Sequence, residues 1–155
     1  MTVMNRILSL LSGDTEAEKI ARDDEVKLAA AALLVEAAKL DGFFITDERR
    51  EIVHVLKDHF GITDDEARTL MEEGEKAVDQ SGQLYGFTKI LKDRFDPAER
   101  IQMIEMLWQV AIADGEIDHF ESNLIRRVAG LLYVSDVDRG LAKQRVMARL
   151  GLGNK

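Results

Sequence analysis

The chain has 155 residues, enough for one domain with a sizeable core, and 46% of them are hydrophobic, which argues against disorder of the chain as a whole. It holds no cysteine, so disulfide frameworks, zinc–thiolate sites, iron–sulfur clusters and cysteine nucleophiles are excluded. A net charge of -8 disfavours contact with a phosphate backbone, and nucleic acid is not expected as a partner.

The chain carries a single proline and long stretches of Ala, Leu, Glu, Lys and Arg. No segment sustains period-two alternation, so helix is expected throughout. Val3, Met4, Ile7, Leu8 and Leu11 share one helical face and predict a short amphipathic helix over residues 1–11. This segment lacks the basic region and small-residue cleavage site of a secretory signal, so it reads as part of the mature protein. The polar stretch from Ser12 to Asp24 reads as a linker, dividing the chain into residues 1–22, helix and linker, and 23–155, a helical domain. A helix follows from about Asp24 to Leu40, with Leu28, Ala31, Leu34, Val35 and Ala38 on its buried stripe, and ends at Asp41-Gly42. Glu36 and Lys39 interrupt its apolar run well short of the roughly 18–20 residues of a membrane span, so no integral membrane segment is expected.

The next helix runs from after Thr46 to about His59, with Ile52, Val53, Leu56 and Phe60 inward. Thr63-Asp64-Asp65-Glu66 spells a capping box that opens a helix reaching about Gln80. Gly82 breaks it, and Leu84, Phe87, Leu91 and Phe95 mark another at spacings of three to four. Asp96-Pro97-Ala98-Glu99 combines a capping Asp, a proline at the first helical position and a Glu three residues on, and the helix runs to about Ala113. The segments 118–121 and 135–138 repeat this logic, giving about eight helices in all. After Asp138 no acid remains, while Arg139, Lys143, Arg145, Arg149 and Lys155 suit the dipole of a final helix.

Shifting the chain by 73 residues pairs Leu28 with Ile101, Ala31 with Ile104, Leu34 with Leu107, Val35 with Trp108 and Ala38 with Ala111, all apolar. Asp41-Gly42 falls on Asp114-Gly115; with one residue dropped at Phe43-Phe44, Ile52 pairs with Leu124, Leu56 with Val128 and Ile62-Thr63-Asp64 with Val134-Ser135-Asp136. The chain thus reads as an all-α bundle of two pseudo-symmetric helical repeats, about residues 24–80 and 97–150.

The two Asp-Gly turns are the candidate functional feature. Asp114-Gly-Glu-Ile-Asp-His-Phe-Glu121 resembles the second half of an EF-hand loop, but the first ligand positions would be Val110 and Ile112, and Ala37 and Lys39 in the other copy, so that motif is excluded. On a purely structural reading, Gly42 and Gly115 end helices in the left-handed conformation, and Thr46 and Asp118 cap the next ones. On a ligand reading, the crowding of Asp114, Glu116, Asp118 and Glu121 would be relieved by a divalent cation. His54, His59 and His119 offer no metal-ligand spacing and are expected at the surface; Trp108, Tyr85, Phe87 and Tyr133 are expected in the core. No phosphate loop, Ser-His-Asp arrangement or nucleophile elbow occurs, so enzymatic activity is not expected.

The stretches Leu28-Ala-Ala-Ala-Ala-Leu-Leu-Val35, Leu84-Tyr-Gly-Phe-Thr88, Glu105-Met-Leu-Trp-Gln-Val-Ala111 with Asp114-Gly115, and Glu121-Ser-Asn-Leu-Ile-Arg-Arg-Val-Ala129 resemble the bacterial TerB family, named for tellurite-resistance protein B. The resemblance covers about residues 25–145. It implies a pseudo-symmetric bundle of seven or eight helices without catalytic activity, associated with tellurite and other stress responses, whose acidic residues are suspected of chelating metal. Carried onto this chain, it touches Asp41 and Glu48 in the first half and Asp114, Asp118 and Glu121 in the second; Glu116 joins them from its place in the turn. The departure from the pattern is Phe43-Phe44, which makes the first turn apolar. The functional expectation is a cytoplasmic binding or adaptor module for a protein partner, with a divalent cation as its one candidate cofactor. The alternative is a metal-free interaction scaffold that docks through helical surfaces or residues 1–11, on a partner, a membrane surface or a second copy.

Overall fold

The computed structural model describes residues 15–40, 46–81, 84–113 and 119–152. Among them are seven helices and no strand: α1 Glu16–Lys39, α2 Thr46–Phe60, α3 Asp64–Ser81, α4 Leu84–Arg94, α5 Pro97–Ala111, α6 His119–Leu131 and α7 Asp136–Arg149. The expected helix over residues 1–11 lies outside the described residues.

Local chemistry sets the helix starts. The Thr63 amide donates to Glu66 Oε1 at 3.0 Å while the Glu66 amide donates to Thr63 Oγ1 at 3.1 Å, the reciprocal pair expected of a capping box. Asp96 and Glu99 repeat it around Pro97, and the Asp138 amide donates to Ser135 Oγ at 3.1 Å. One start differs from the sequence reading. The stretch expected to be a linker is helical from Glu16, because Thr15 and Glu18 form a capping box of the same kind. Most of the first ten residues of that helix are exposed, and Ile20 is among them, so the extension stands clear of the core.

From Ala29 to Ala38 every α1 residue except Glu36 is buried. The half-helix is apolar on nearly all sides, as a helix surrounded by other helices must be. α3, α4, α5, α2 and α6 all pack on it. Its four consecutive alanines let α3 approach closely, and a Cβ added at Gly74 of α3 would sit 3.0 Å from the backbone and Cβ of Ala31.

The five pairs aligned 73 residues apart match in burial: Leu28 and Ile101 are both half-buried, and the other four pairs are buried in both halves. The packing is paired in the same way. α1 packs on α3 as α5 packs on α7, α1 on α2 as α5 on α6, α2 on α3 as α6 on α7, and across the middle α1 on α6 as α5 on α2. α4 connects the halves. The bundle is all-α with two pseudo-symmetric repeats.

The register after the first turn needs correction. Burial keeps the offset at 73: Glu48 matches Glu121, Ile52 matches Ile125, Val55 matches Val128 and Leu56 matches Ala129, all buried. Thr46 and His119, the first residues of α2 and α6, are also 73 apart. The one-residue difference falls at the other end of these helices. There Gly61 and Tyr133, 72 apart, close them in the left-handed conformation, with φ of 63° and 58°.

Trp108 is 3% exposed, as expected of a core residue; its Nε1 donates to the Arg139 carbonyl at 3.3 Å and Lys143 lies over its ring. Phe87 is half-buried against the core. Tyr85 and Tyr133 are not core residues, being 59% and 75% exposed. Tyr133 occupies the turn where α6 stops, and its exposed ring meets Lys92 at 5.3 Å.

Candidate functional site

Two of the six candidate ligands fall among the described residues. Glu48 is the third residue of α2 and Glu121 the third of α6, so each stands in the first turn of the helix that follows an Asp-Gly turn. Both are 4% exposed, and the Oε2 atom of each is withdrawn from solvent. Asp41, Asp114, Glu116 and Asp118 lie outside the described residues, as do Gly42 and Gly115. Among the described residues no group of three or more acidic or histidine side chains could hold a metal ion, so any such site must draw on the turns themselves.

Glu48, Glu121 and Thr88 are the only buried polar or charged residues among those described. Thr88 is accounted for by its hydroxyl, which donates to the Tyr85 carbonyl at 3.0 Å. A buried carboxylate costs several kcal/mol unless hydrogen bonds, a counter-charge or a metal compensates it, and this chain places one at the same point of both repeats. The start of a helix reduces that cost, because its free amides and dipole favour negative charge.

The electrostatics of the two halves differ. Lys39, at the end of α1, pairs with Asp79 at 3.2 Å and Glu75 at 3.6 Å, and Arg49 pairs with the same Glu75 at 3.2 Å. Two cations thus tie the end of α1 and the start of α2 to α3. The positions 73 residues on are Ile112 and Ser122, neither charged. In sequence, the second Asp-Gly segment also carries more carboxylates, with Asp114, Glu116 and Asp118 ahead of Glu121.

His54 pairs with Asp58 at 3.2 Å on the surface, and His119 is exposed beside Asn123. His59 is half-buried rather than at the surface, edge-on to Phe60, and burial holds its pKa below the ordinary value, with Glu99 acting in the opposite direction. The equivalence of Glu48 and Glu121 was not visible in the alignment that dropped a residue at Phe43-Phe44. The uninterrupted offset, which pairs two glutamates, was the available signal.

No helix among the described residues is long and apolar enough to cross a membrane. No curated protein and no solved structure gives a significant match. The family described as Tellurite resistance protein TerB does match, over residues 27–144, which takes in the body of the bundle and both acidic turns. With its paired helical hairpins and that match across more than half its length, the chain belongs to the TerB family.

Proposed function

We propose that this chain is a non-enzymatic binding module of a bacterial stress-response system, and that its acidic Asp-Gly turns hold a divalent cation. The observation that carries the reading is the burial of Glu48 and Glu121 at equivalent points, each in the helix that leaves an Asp-Gly turn. The second turn is the stronger site, because Asp114, Glu116 and Asp118 lead into Glu121 and the positions aligned with Lys39 and Arg49 hold the uncharged Ile112 and Ser122. Oxygen ligands alone favour calcium, magnesium or manganese over zinc. The cation would fix the turn's shape and so present the adjoining helices to a protein partner. Calorimetric titration of the full chain with calcium, magnesium, manganese and zinc tests this. Binding that weakens at least about tenfold in Glu121→Gln supports it; no heat from any of the four metals at millimolar concentration removes it and leaves the metal-free scaffold.

A further inference from the structure

A cleft of about 790 Å³ opens between α2, α5 and α7. α5 forms its floor: Gln102, Glu105, Met106 and Gln109 follow the spacing of one helical face. His54 and Asp58 of α2 stand on one side, and Arg145 and Arg149 of α7 on the other. Both flanking helices pack on α5, which sets the distance between the walls.

Glu105 organises the basic wall. Arg145 Nη2 lies 3.4 Å from its Oε2, and Arg149 Nη1 lies 3.2 Å from its Oε1. The Glu105 side chain is only 15% exposed, whereas both arginine side chains are about half exposed, so the carboxylate sits beneath two guanidinium heads. One carboxylate cannot neutralise two guanidiniums, and the cluster keeps a net positive charge on a chain whose total is -8. Each ion pair engages one nitrogen of a guanidinium that has five N–H donors, so most of the donor capacity is unspent. On the opposite wall, Asp58 lies 3.2 Å from His54 Nε2.

We propose that this cleft binds a small phosphate monoester, its phosphate bridging Arg145 and Arg149 and its organic body lying along the α5 floor. The two guanidiniums already converge on the two oxygens of one carboxylate, which shows that their spacing suits a shared oxyanion. A phosphate monoester brings three terminal oxygens and close to two negative charges, and planar guanidiniums match it better than they match a single carboxylate. The volume falls in the range of about 300–1,000 Å³ usual for small-molecule sites and exceeds what an inorganic ion needs. Met106, Val55 and Leu150 supply apolar surface for the body, and Gln102 a side-chain amide.

The test is calorimetric titration of the full chain at low salt with adenosine monophosphate, ribose 5-phosphate and inorganic phosphate. At least one monoester is expected to bind more tightly than inorganic phosphate. Arg145→Gln and Arg149→Gln should each weaken that binding about tenfold, the usual worth of one charge-assisted contact to phosphate. Lys89→Gln, which removes the same charge from α4 outside the cleft, should change it less than about twofold, as expected of a screened distant charge. Melting curves confirm that each variant is folded. No binding of any probe up to about 10 mM, a Kd beyond that of useful affinity, overturns the proposal. So does an equal loss in Lys89→Gln and the arginine variants, or equal affinity for inorganic phosphate and both monoesters. Neither Glu48 nor Glu121 lines this cleft, so the cation reading stands or falls separately.

Discussion

Gly61 and Tyr133 hold the same left-handed backbone at the ends of α2 and α6, yet one is glycine and the other a β-carbon-bearing aromatic. For most side chains that conformation costs roughly 1–2 kcal/mol per residue. A Cβ at Gly61 would meet nothing within 4 Å, so the penalty there is conformational alone. Gly61→Val should therefore lose about 1–3 kcal/mol, while Tyr133→Asn, which suits the left-handed region, should gain up to about 1 kcal/mol. Urea denaturation measures both, and a neutral Gly61→Val would show that the turn does not need this backbone. Trp108 was legible as core because it falls on a helical stripe whose aligned partner, Val35, is also buried. Tyr133 was not, because aromatic character argues for burial and only the backbone reveals that the residue stands outside the helix.

Helix starts were the most readable feature, since a cap needs only four neighbouring residues, and Thr63, Asp96 and Ser135 all act as the pattern requires. Thr15 to Glu18 carried the same signal and was outweighed by the polarity of the stretch around it. Helix crossings are a different matter, because they depend on residues far apart in the chain. Nothing local marks Gly74 as a contact with Ala31, whereas Gly140 in α7 has open space around its Cα. Gly74→Leu should therefore cost about 1–3 kcal/mol by overpacking, while Gly140→Ala should gain up to about 1 kcal/mol in helix propensity. Equal effects at the two sites would contradict the close α1–α3 crossing. His59, also in α2, makes stability depend on pH. Its folded pKa lies below the ordinary 6.5 because burial disfavours the charged ring. As pH falls below that value the unfolded chain takes up the proton first, so stability declines. His59→Gln should flatten the fall in melting temperature between about pH 7 and pH 5; an unchanged slope would show that His59 titrates as it does in the unfolded chain.

Across the whole molecule, the twofold repeat was legible because identical faces recur at a fixed offset, and the structure supports it in burial and packing alike. The cleft between α2, α5 and α7 was not legible: Glu105 and Arg145 are 40 residues apart, and no periodicity links them. The acidic turns fall between these cases, since their carboxylates are plain in the sequence but the burial of Glu48 and Glu121 appears only on folding. That burial gives the proposed cation site its weight, and it couples binding to stability. A ligand bound only by the native state at a hundred times its Kd raises stability by about 2.7 kcal/mol. The decisive measurement is the melting temperature of the parent, Glu48→Gln and Glu121→Gln with and without millimolar calcium, magnesium or manganese. At least one of these cations should raise the parent's melting temperature, Glu121→Gln should lose most of that rise, and Glu48→Gln should lose less. No rise in the parent, or a rise retained in full by Glu121→Gln, would contradict the assignment of the second turn as a divalent-cation site.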